Sequence, residues 1–280
     1  MSNLVVRAIT GALFVFVVLG SIFWEERVAL VVLGGFMALG LIEFLMLFKT
    51  SDKVSIRWEI GFTYGILLFG LFVSAMFEQI PQILLLLSFP ITFLLMLTEL
   101  WRKKDNPILN IGTQLLGAFY VVVPFFMMAM IHHYNTSLEE IGLLSGIPLL
   151  AGMFILVWTN DTFAYLTGRL IGRTKLFERV SPKKTWEGTI GGIVFTIGAG
   201  YAISLYSPQF DLLFWMVSGG LIACCAILGD LLESVFKRSL NIKDSGNILP
   251  GHGGILDRFD AALFAAPFFV CWTYFNIYFM

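Results

Sequence analysis

Charge is what this chain has least of. Only 13% of its 280 residues are Asp, Glu, Lys or Arg, against 58% apolar ones. Soluble domains carry roughly 25% charged residues. A water-soluble fold of this length has no interior large enough for so much apolar surface, and a mean hydropathy of +0.86 points the same way. A soluble domain is thereby excluded. Net charge is also scarce, at −1, so no global field draws the chain to nucleic acid and no such partner is expected. Cysteine is limited to Cys224, Cys225 and Cys271, all in apolar segments and without CxxC or zinc spacing. They read as apolar filler. Internal repeats, inverted repeats with broken helices and long linkers are missing too, which argues against many transporter architectures. A single membrane domain over residues 1–280 is the simplest organisation.

Long apolar runs are abundant. A helix of about 20 such residues crosses the hydrocarbon. Segments near that length lie at Ala8–Phe23, Val28–Phe48, Ile60–Phe77, Ile83–Thr98, Ile108–Ile131, Ile147–Gly168, Gly188–Tyr206, Leu212–Leu232 and Phe259–Phe279, and they predict nine spans. The first has Arg7 before it and Glu25–Arg27 after it, with no small-x-small cleavage site, so it reads as a membrane helix and not a signal peptide. The connections test the count. All of the 18 basic residues except Arg27 fall at the N-terminus or in the loops after the second, fourth, sixth and eighth spans. Basic residues accumulate in cytoplasmic loops. The expected fold is therefore an all-α polytopic integral membrane protein of about nine transmembrane helices. Its N-terminus is cytoplasmic, its C-terminus lies outside, and a polar cavity opens to the cytoplasmic face. His132 and His133 fall in an outer loop with no third metal ligand in suitable spacing, so they read as interfacial residues.

Against this apolar background, five carboxylates sit within or at the edge of spans: Glu43, Asp161, Asp230, Glu233 and Asp257. A charge at the bilayer centre costs roughly 2.5–3.5 kcal/mol on insertion scales, so such residues face a cavity or a partner. Glu43 reads either as a partner of a basic residue across the bundle or as part of a site. Asn160, Asp161 and Thr162 interrupt an otherwise apolar helix and suggest a cavity-lining turn. Asp230 and Glu233 are three apart and share a helix face, which Ser234 and Lys237 continue. Asp257, Arg258 and Asp260 open the last span. The intervening loop returns the chain, so Asp230 and Asp257 can converge. Mutual neutralisation with nearby cations is one reading. The other is a divalent-ion site, since Mg²⁺ is held by one or two carboxylates plus water and substrate phosphates.

The basic residues fit the second reading. Lys237, Arg238, Lys243 and Arg258 exceed what two helix ends need for orientation, and Lys and Arg bind phosphate. Gly251, Gly253 and Gly254, around His252, allow backbone N–H groups to approach a ligand closely. Upstream, Lys183 and Lys184 precede Thr185 and Glu187 where a helix starts, an arrangement suited to anions. The reaction class these residues predict is metal-assisted phosphoryl or nucleotidyl transfer to a substrate that lives in the membrane.

The run Ser234-x-x-Lys237-Arg238-x4-Lys243-Asp244-x5-Pro250-x-His252-Gly253-Gly254-x-x-Asp257-Arg258-x-Asp260 resembles the signature of the phosphatidate cytidylyltransferases, or CDP-diglyceride synthases. Asn160-Asp161-x-x-Ala164-Tyr165-x-x-Gly168 and Ser181-Pro182-Lys183-Lys184-Thr185-x-Glu187-Gly188 resemble the family as well. The detailed likeness runs from Trp158 to Asp260; the first 140 residues match only as a hydrophobic profile.

The resemblance implies transfer of the cytidylyl group of CTP to phosphatidate, giving CDP-diacylglycerol and pyrophosphate for phospholipid synthesis. It implies Mg²⁺ held by Asp230 and Asp257, with Asp260 a further candidate ligand, and K⁺ as an accompanying cation. Lys237, Arg238, Lys243, Asp244, His252 and Arg258 are the expected catalytic set. Asn160, Asp161, Ser181, Lys183, Lys184, Thr185, Glu187, Ser234, Gly253 and Gly254 are the expected substrate contacts. Residues 1–146 would form a lipid-facing scaffold and residues 147–280 the catalytic part. A homodimer in a bacterial inner membrane, working on the cytoplasmic side, completes the expectation. The alternatives are another CTP-dependent lipid transferase, such as an ether-lipid cytidylyltransferase or a polyprenol kinase, and an ion-coupled transporter using Glu43, Asp161 and Asp230.

Overall fold

The computed structural model describes residues 3–49, 51, 53–140, 146–242, 244–246, 248 and 253–279. Lys243 and His252 therefore lie outside the described residues. The chain is a helical bundle. Helices α1 (Asn3–Trp24), α2 (Glu26–Lys49) and α3 (Trp58–Met76) are followed by α4 (Ser88–Leu97), which has a 3-10 turn at each end. Next come α5 (Pro107–Gly117) and α6 (Val123–Glu140), joined through a π-helical stretch at Ala118–Val122. The last four helices are α7 (Leu149–Ile171), α8 (Trp186–Ser204), α9 (Leu212–Ser239) and α10 (Leu256–Phe279).

Each of the nine apolar segments falls on helix, and seven helices among the described residues are long and apolar enough to cross a membrane. The protein is an all-α polytopic membrane protein. In α1 the stretch Ile9–Trp24 counts as a shorter apolar helix, and α8 is not among the seven. Glycine-rich α8 has a different virtue, since it lets its neighbours come close. A Cβ on Gly188 would lie 2.7 Å from the Ala164 carbonyl oxygen, and one on Gly192 would lie 2.7 Å from Asn160 Oδ1. Small residues at this spacing allow backbones to approach in a membrane. Accordingly α7 packs on α8, α8 on α9 and α9 on α10 more extensively than any other helix pairs.

One feature absent from the sequence reading is a small antiparallel hairpin between α7 and α8, made of β1 (Lys175–Phe177) and β2 (Ser181–Thr185). Thr185 ends β2 and caps α8, its Oγ1 accepting the Gly188 N–H at 3.2 Å. Asp211 caps α9 in the same way, accepting from Phe214 N–H at 2.7 Å. Such caps satisfy donors that the first helical turn leaves orphaned.

The start of α10 is held from far away in sequence. Glu43 of α2, 5% exposed, accepts the Leu256 N–H through Oε2 at 2.9 Å. Gly246 and Gly254 press against the same carboxylate. Of the two readings open for Glu43, the structure shows a hydrogen-bonded anchor between α2 and α10. Close by, Phe259 is fully buried against the rings of Phe14, Phe36 and Phe125, with centroids 4.9–5.3 Å apart. Aromatic contacts at these separations add about 0.5–1.5 kcal/mol each to simple burial. The N-terminal helices thus fix the depth and rotation of the helix carrying Asp257 and Asp260.

Candidate active site

The site begins with the way α7 faces α8. Along α7, Asn160, Ala164 and Gly168 recur at four-residue spacing, as do Asp161, Tyr165 and Arg169. The first row lies against the glycines of α8. Both rows border a cavity of about 410 Å³. Its other walls come from Ser181, Lys183, Lys184 and Thr185 of β2, Gly188 and Thr189 of α8, and Ile227 and Asp230 of α9. Seven residues singled out from sequence therefore meet in one space: Asn160, Asp161, Ser181, Lys183, Lys184, Thr185 and Asp230.

The hairpin explains how two adjacent lysines serve it. Successive side chains of a strand point to opposite faces, and Lys184 is the half-buried one while Lys183 is exposed. Lys184 Nζ reaches Asp230 Oδ2 at 2.6 Å and the Ile227 carbonyl at 3.4 Å. Asp161 has Asp230, Lys184 and Arg258 as charged neighbours, so α10 also faces the cavity side of α7.

A second group of charges continues from Asp230 along α9. A Cβ on Gly229 would lie 2.6 Å from the Asp260 carbonyl oxygen, so α9 and α10 are in backbone contact there. That contact brings carboxylate oxygens of Asp230, Glu233 and Asp260 within 4.8 Å of one another. Ser234 Oγ donates to Asp230 Oδ1 at 3.4 Å. Lys237 bridges Glu233 Oε2 at 2.6 Å and Asp257 Oδ1 at 2.7 Å. The other oxygen of Asp257 accepts from the backbone N–H groups of Ser245 at 3.0 Å and Gly254 at 2.8 Å. Asp257 thus holds the returning loop, with Gly253 beside it at φ 80°. A Cβ on Gly253 would lie 2.5 Å from Asp257 Oδ2, so both backbone conformation and space favour glycine.

The remaining sequence candidates are dispersed. Arg238 Nη1 donates to the Ile242 carbonyl at 3.4 Å. Asp244 is exposed. Glu187 is not among the residues lining the cavity and accepts from the backbone N–H groups of Arg173 at 3.0 Å and Thr174 at 3.1 Å. These bonds, led by that from Arg173, hold its pKa down at about 2. Sequence reasoning assigned no role to Tyr165, Arg169 or Thr189. The four-residue spacing after Asp161 carries the signal for the first two. It also gave Glu233 no role as a ligand, although the i, i+3 relation to Asp230 was plain. Tyr120 left no signal at all. Its hydroxyl is buried without a hydrogen-bond partner among the described residues, and Glu233, Asp260 and Asp230 are its charged neighbours.

Chemically, the arrangement has two faces. Lysines and an arginine border the open cavity and suit phosphate groups. Three oxygen ligands converge where α9 meets α10 and suit a hard divalent cation. These features define the class: a helical membrane protein with a polar cavity lined by lysines, an arginine and carboxylates. The chain belongs to the cytidylyltransferase family, whose model matches residues 5–276. It is 37% identical over 201 residues to the phosphatidate cytidylyltransferase of Haemophilus influenzae, a stretch covering 69% of this chain and 64% of that protein. It is 36% identical over 178 residues to the phosphatidate cytidylyltransferase of Staphylococcus aureus, covering 63% of this chain and 64% of the relative. The protein of the same name from Staphylococcus saprophyticus is 35% identical over 178 residues, with the same coverage. Each match spans 64% of the relative's length, somewhat under two thirds.

Proposed function

We propose that the protein transfers the cytidylyl group of CTP to phosphatidate, producing CDP-diacylglycerol and pyrophosphate. The observation that carries this reading is the single cavity in which Asn160, Asp161, Lys183, Lys184 and Asp230 meet, in a chain of the cytidylyltransferase family. An oxygen of the phosphatidate phosphate attacks the α-phosphorus of CTP. The bond from that phosphorus to the bridging oxygen of the β-phosphate breaks, and pyrophosphate leaves. The nucleophile is already an ionised phosphate, so no strong base is needed. The barrier includes repulsion between two anions, and fixed cations lower it. Lys183 and Lys184 receive phosphates of CTP or the lipid headgroup, with Ser181 and Thr185 donating hydrogen bonds. Asn160 and Asp161 line the opposite wall. Lys237, Arg238, Lys243 and Arg258 clamp the reactants, and His252, with the N–H groups of Gly253 and Gly254, takes the pyrophosphate. Ser234 orients Asp230. Asp244 and Glu187 orient the basic loops.

The donor set at Asp230, Glu233 and Asp260 fits Mg²⁺, because oxygens from three carboxylates lie within 4.8 Å and Glu233 Oε1 has no hydrogen-bond partner among the described residues. Asp257 belongs to the same set by its place in the signature; its Oδ1 becomes available when Lys237 turns to a substrate phosphate. Bound there, Mg²⁺ would supply charge neutralisation on phosphate oxygens. K⁺ as a second cation rests on the resemblance alone. Residues 1–146 act as scaffold and residues 147–280 carry the chemistry. Nine spans cross an inner membrane with the N-terminus and the cavity on the cytoplasmic side, the C-terminus outside, and the chain working as a homodimer.

The test is product analysis. Purified protein is mixed with CTP, phosphatidate and Mg²⁺, and the lipid phase is examined by mass spectrometry. CDP-diacylglycerol with one pyrophosphate per turnover is expected. CDP release together with a newly phosphorylated lipid would move the protein to the lipid-kinase alternative. A folded protein giving neither product would defeat the reading.

A further inference from the structure

A second large cavity lies away from α7–α10, where α3 begins and the turn after α4 ends. Its volume is about 650 Å³, and Arg57, Trp101, Arg102 and Lys104 form its polar end. Ile60 and Leu94 form part of its apolar side and also border an adjoining groove of about 350 Å³. That groove continues along Leu67 and Ile91, within spans apolar enough to cross a membrane. A cationic pocket thus opens directly into an apolar channel.

We propose that this pocket and groove bind an anionic phospholipid, its phosphate among Arg57, Arg102 and Lys104 and one acyl chain along the α3–α4 groove. Three observations carry the assignment. The first is charge. Among the described residues Arg57 and Lys104 have no ion-pair partner. Arg102 pairs with buried Glu99, and Glu59 is the one carboxylate bordering the groove. The cations outnumber the carboxylates at this end. The second is construction. Glu99 also accepts from Asn110 Nδ2 at 3.1 Å, and Asn110 Oδ1 accepts the Ser55 N–H at 2.8 Å. Arg102 Nη2 donates to Ser55 Oγ at 3.5 Å. A network buried in the bundle therefore holds the guanidinium at the rim. The third is depth. Trp58 opens α3 and Trp101 ends the helical stretch Gln82–Trp101, and tryptophans mark the headgroup level of a bilayer. Basic pockets between membrane helices at that level suit lipid phosphates. A free phosphate would use the cations and leave the groove idle; a lipid uses both.

The experiment measures lipid retention by the whole purified protein. Fluorescent phosphatidylglycerol is the probe, because its phosphodiester is not the acceptor proposed for the catalytic cavity, and phosphatidylcholine is the reference. Arg57→Ala combined with Lys104→Ala is expected to weaken phosphatidylglycerol binding about tenfold, the loss of charge-assisted contacts to one phosphate. Asp230→Asn is expected to bind it like the unmodified protein. Leu94→Trp fills the groove with both cations intact, and is expected to displace the lipid even if the double variant fails to fold. Three results would each overturn the assignment: unchanged retention in the folded variants, displacement of the lipid by inorganic phosphate at equal concentration, or conversion of a dimer to monomer with lipid binding untouched.

Discussion

Glu99 and Asp230 are both carboxylates at the edge of an apolar helix, each facing a basic residue, and their surroundings differ in one respect. Glu99 has its charge matched. Arg102 and Asn110 take its two oxygens, and the side chain is 4% exposed. Asp230 has one lysine at 2.6 Å, but Glu233 and Asp260 crowd against it and its side chain is 38% exposed to a cavity. Buried charge with every bond made serves the fold. Crowded like charge, open to a cavity, is costly unless something else binds there. The comparison separates two kinds of polar residue in one membrane protein: those that lock helices together, and those arranged for a ligand.

Substitutions break or sharpen that contrast, and the largest effect should fall on Asp230. Asp230→Asn is expected to lower turnover of CTP into lipid by about 10²–10³-fold, the scale for removing an electrostatic contribution to a transition state. Thermal unfolding should barely change. Lys184→Ala tests the other half of the pair. It should reduce kcat/KM for CTP by about 10–100-fold, as losing a charge-assisted bond to phosphate does. A mutant with normal kinetics for both CTP and phosphatidate would take Lys184 out of the substrate contacts.

Glu99→Ala should do the reverse. It leaves Arg102 and Asn110 unmatched in the bundle, at a cost of about 3 kcal/mol. The readout is Tm in detergent, with activity per folded molecule preserved. If activity fell as far as in Asp230→Asn while Tm held, the distinction between the two carboxylates would collapse. Gly229→Ala lies between the two cases. Its Cβ would sit 2.6 Å from the Asp260 carbonyl, so α9 and α10 must separate, at about 1–3 kcal/mol. Because this also parts Asp230 from Asp260, turnover and Tm should fall together.

The smallest effect belongs to Glu187. Its pKa is lowered from an ordinary 4.5 to about 2 by the N–H groups it accepts from, Arg173 first. A lowered pKa stabilises the fold above the ordinary value, and that gain is lost as pH falls toward 2. Glu187→Gln should therefore flatten the dependence of Tm on pH between about 5 and 2, lying slightly below the unmodified protein at neutral pH and converging with it near pH 2. Unequal slopes above pH 5 would assign the effect elsewhere.

How far the sequence foretold all this varies from region to region. Nine apolar runs fall on nine helical stretches, because run length and hydropathy are local properties. Asn160, Asp161, Lys184 and Asp230 each stood out, as polar residues in apolar sequence or through the resemblance, but that they border one cavity is a product of packing. Other features could not be read. The β1–β2 hairpin carries the polar run SPKKT, which has no apolar alternation to reveal a strand. Glu43 holds Leu256 across 213 positions, and Tyr120 faces carboxylates more than a hundred positions away. Such pairings are products of packing. Convergence of Asp230 with Asp257 was expected from the returning loop. Among the described residues the closest group joins Asp230 to Glu233 and Asp260, because Gly229 lets α9 touch α10 one turn beyond Asp257, and Lys237 links Asp257 to Glu233.

The most direct measurement follows cytidine from radiolabelled CTP into extractable lipid, with phosphatidate and Mg²⁺ present, for the unmodified protein, Asp230→Asn and Glu99→Gln side by side. Label should enter the lipid with the unmodified protein and with folded Glu99→Gln, and should be lost with Asp230→Asn. Undiminished label with Asp230→Asn, or none with the unmodified protein in its folded state, would contradict the account.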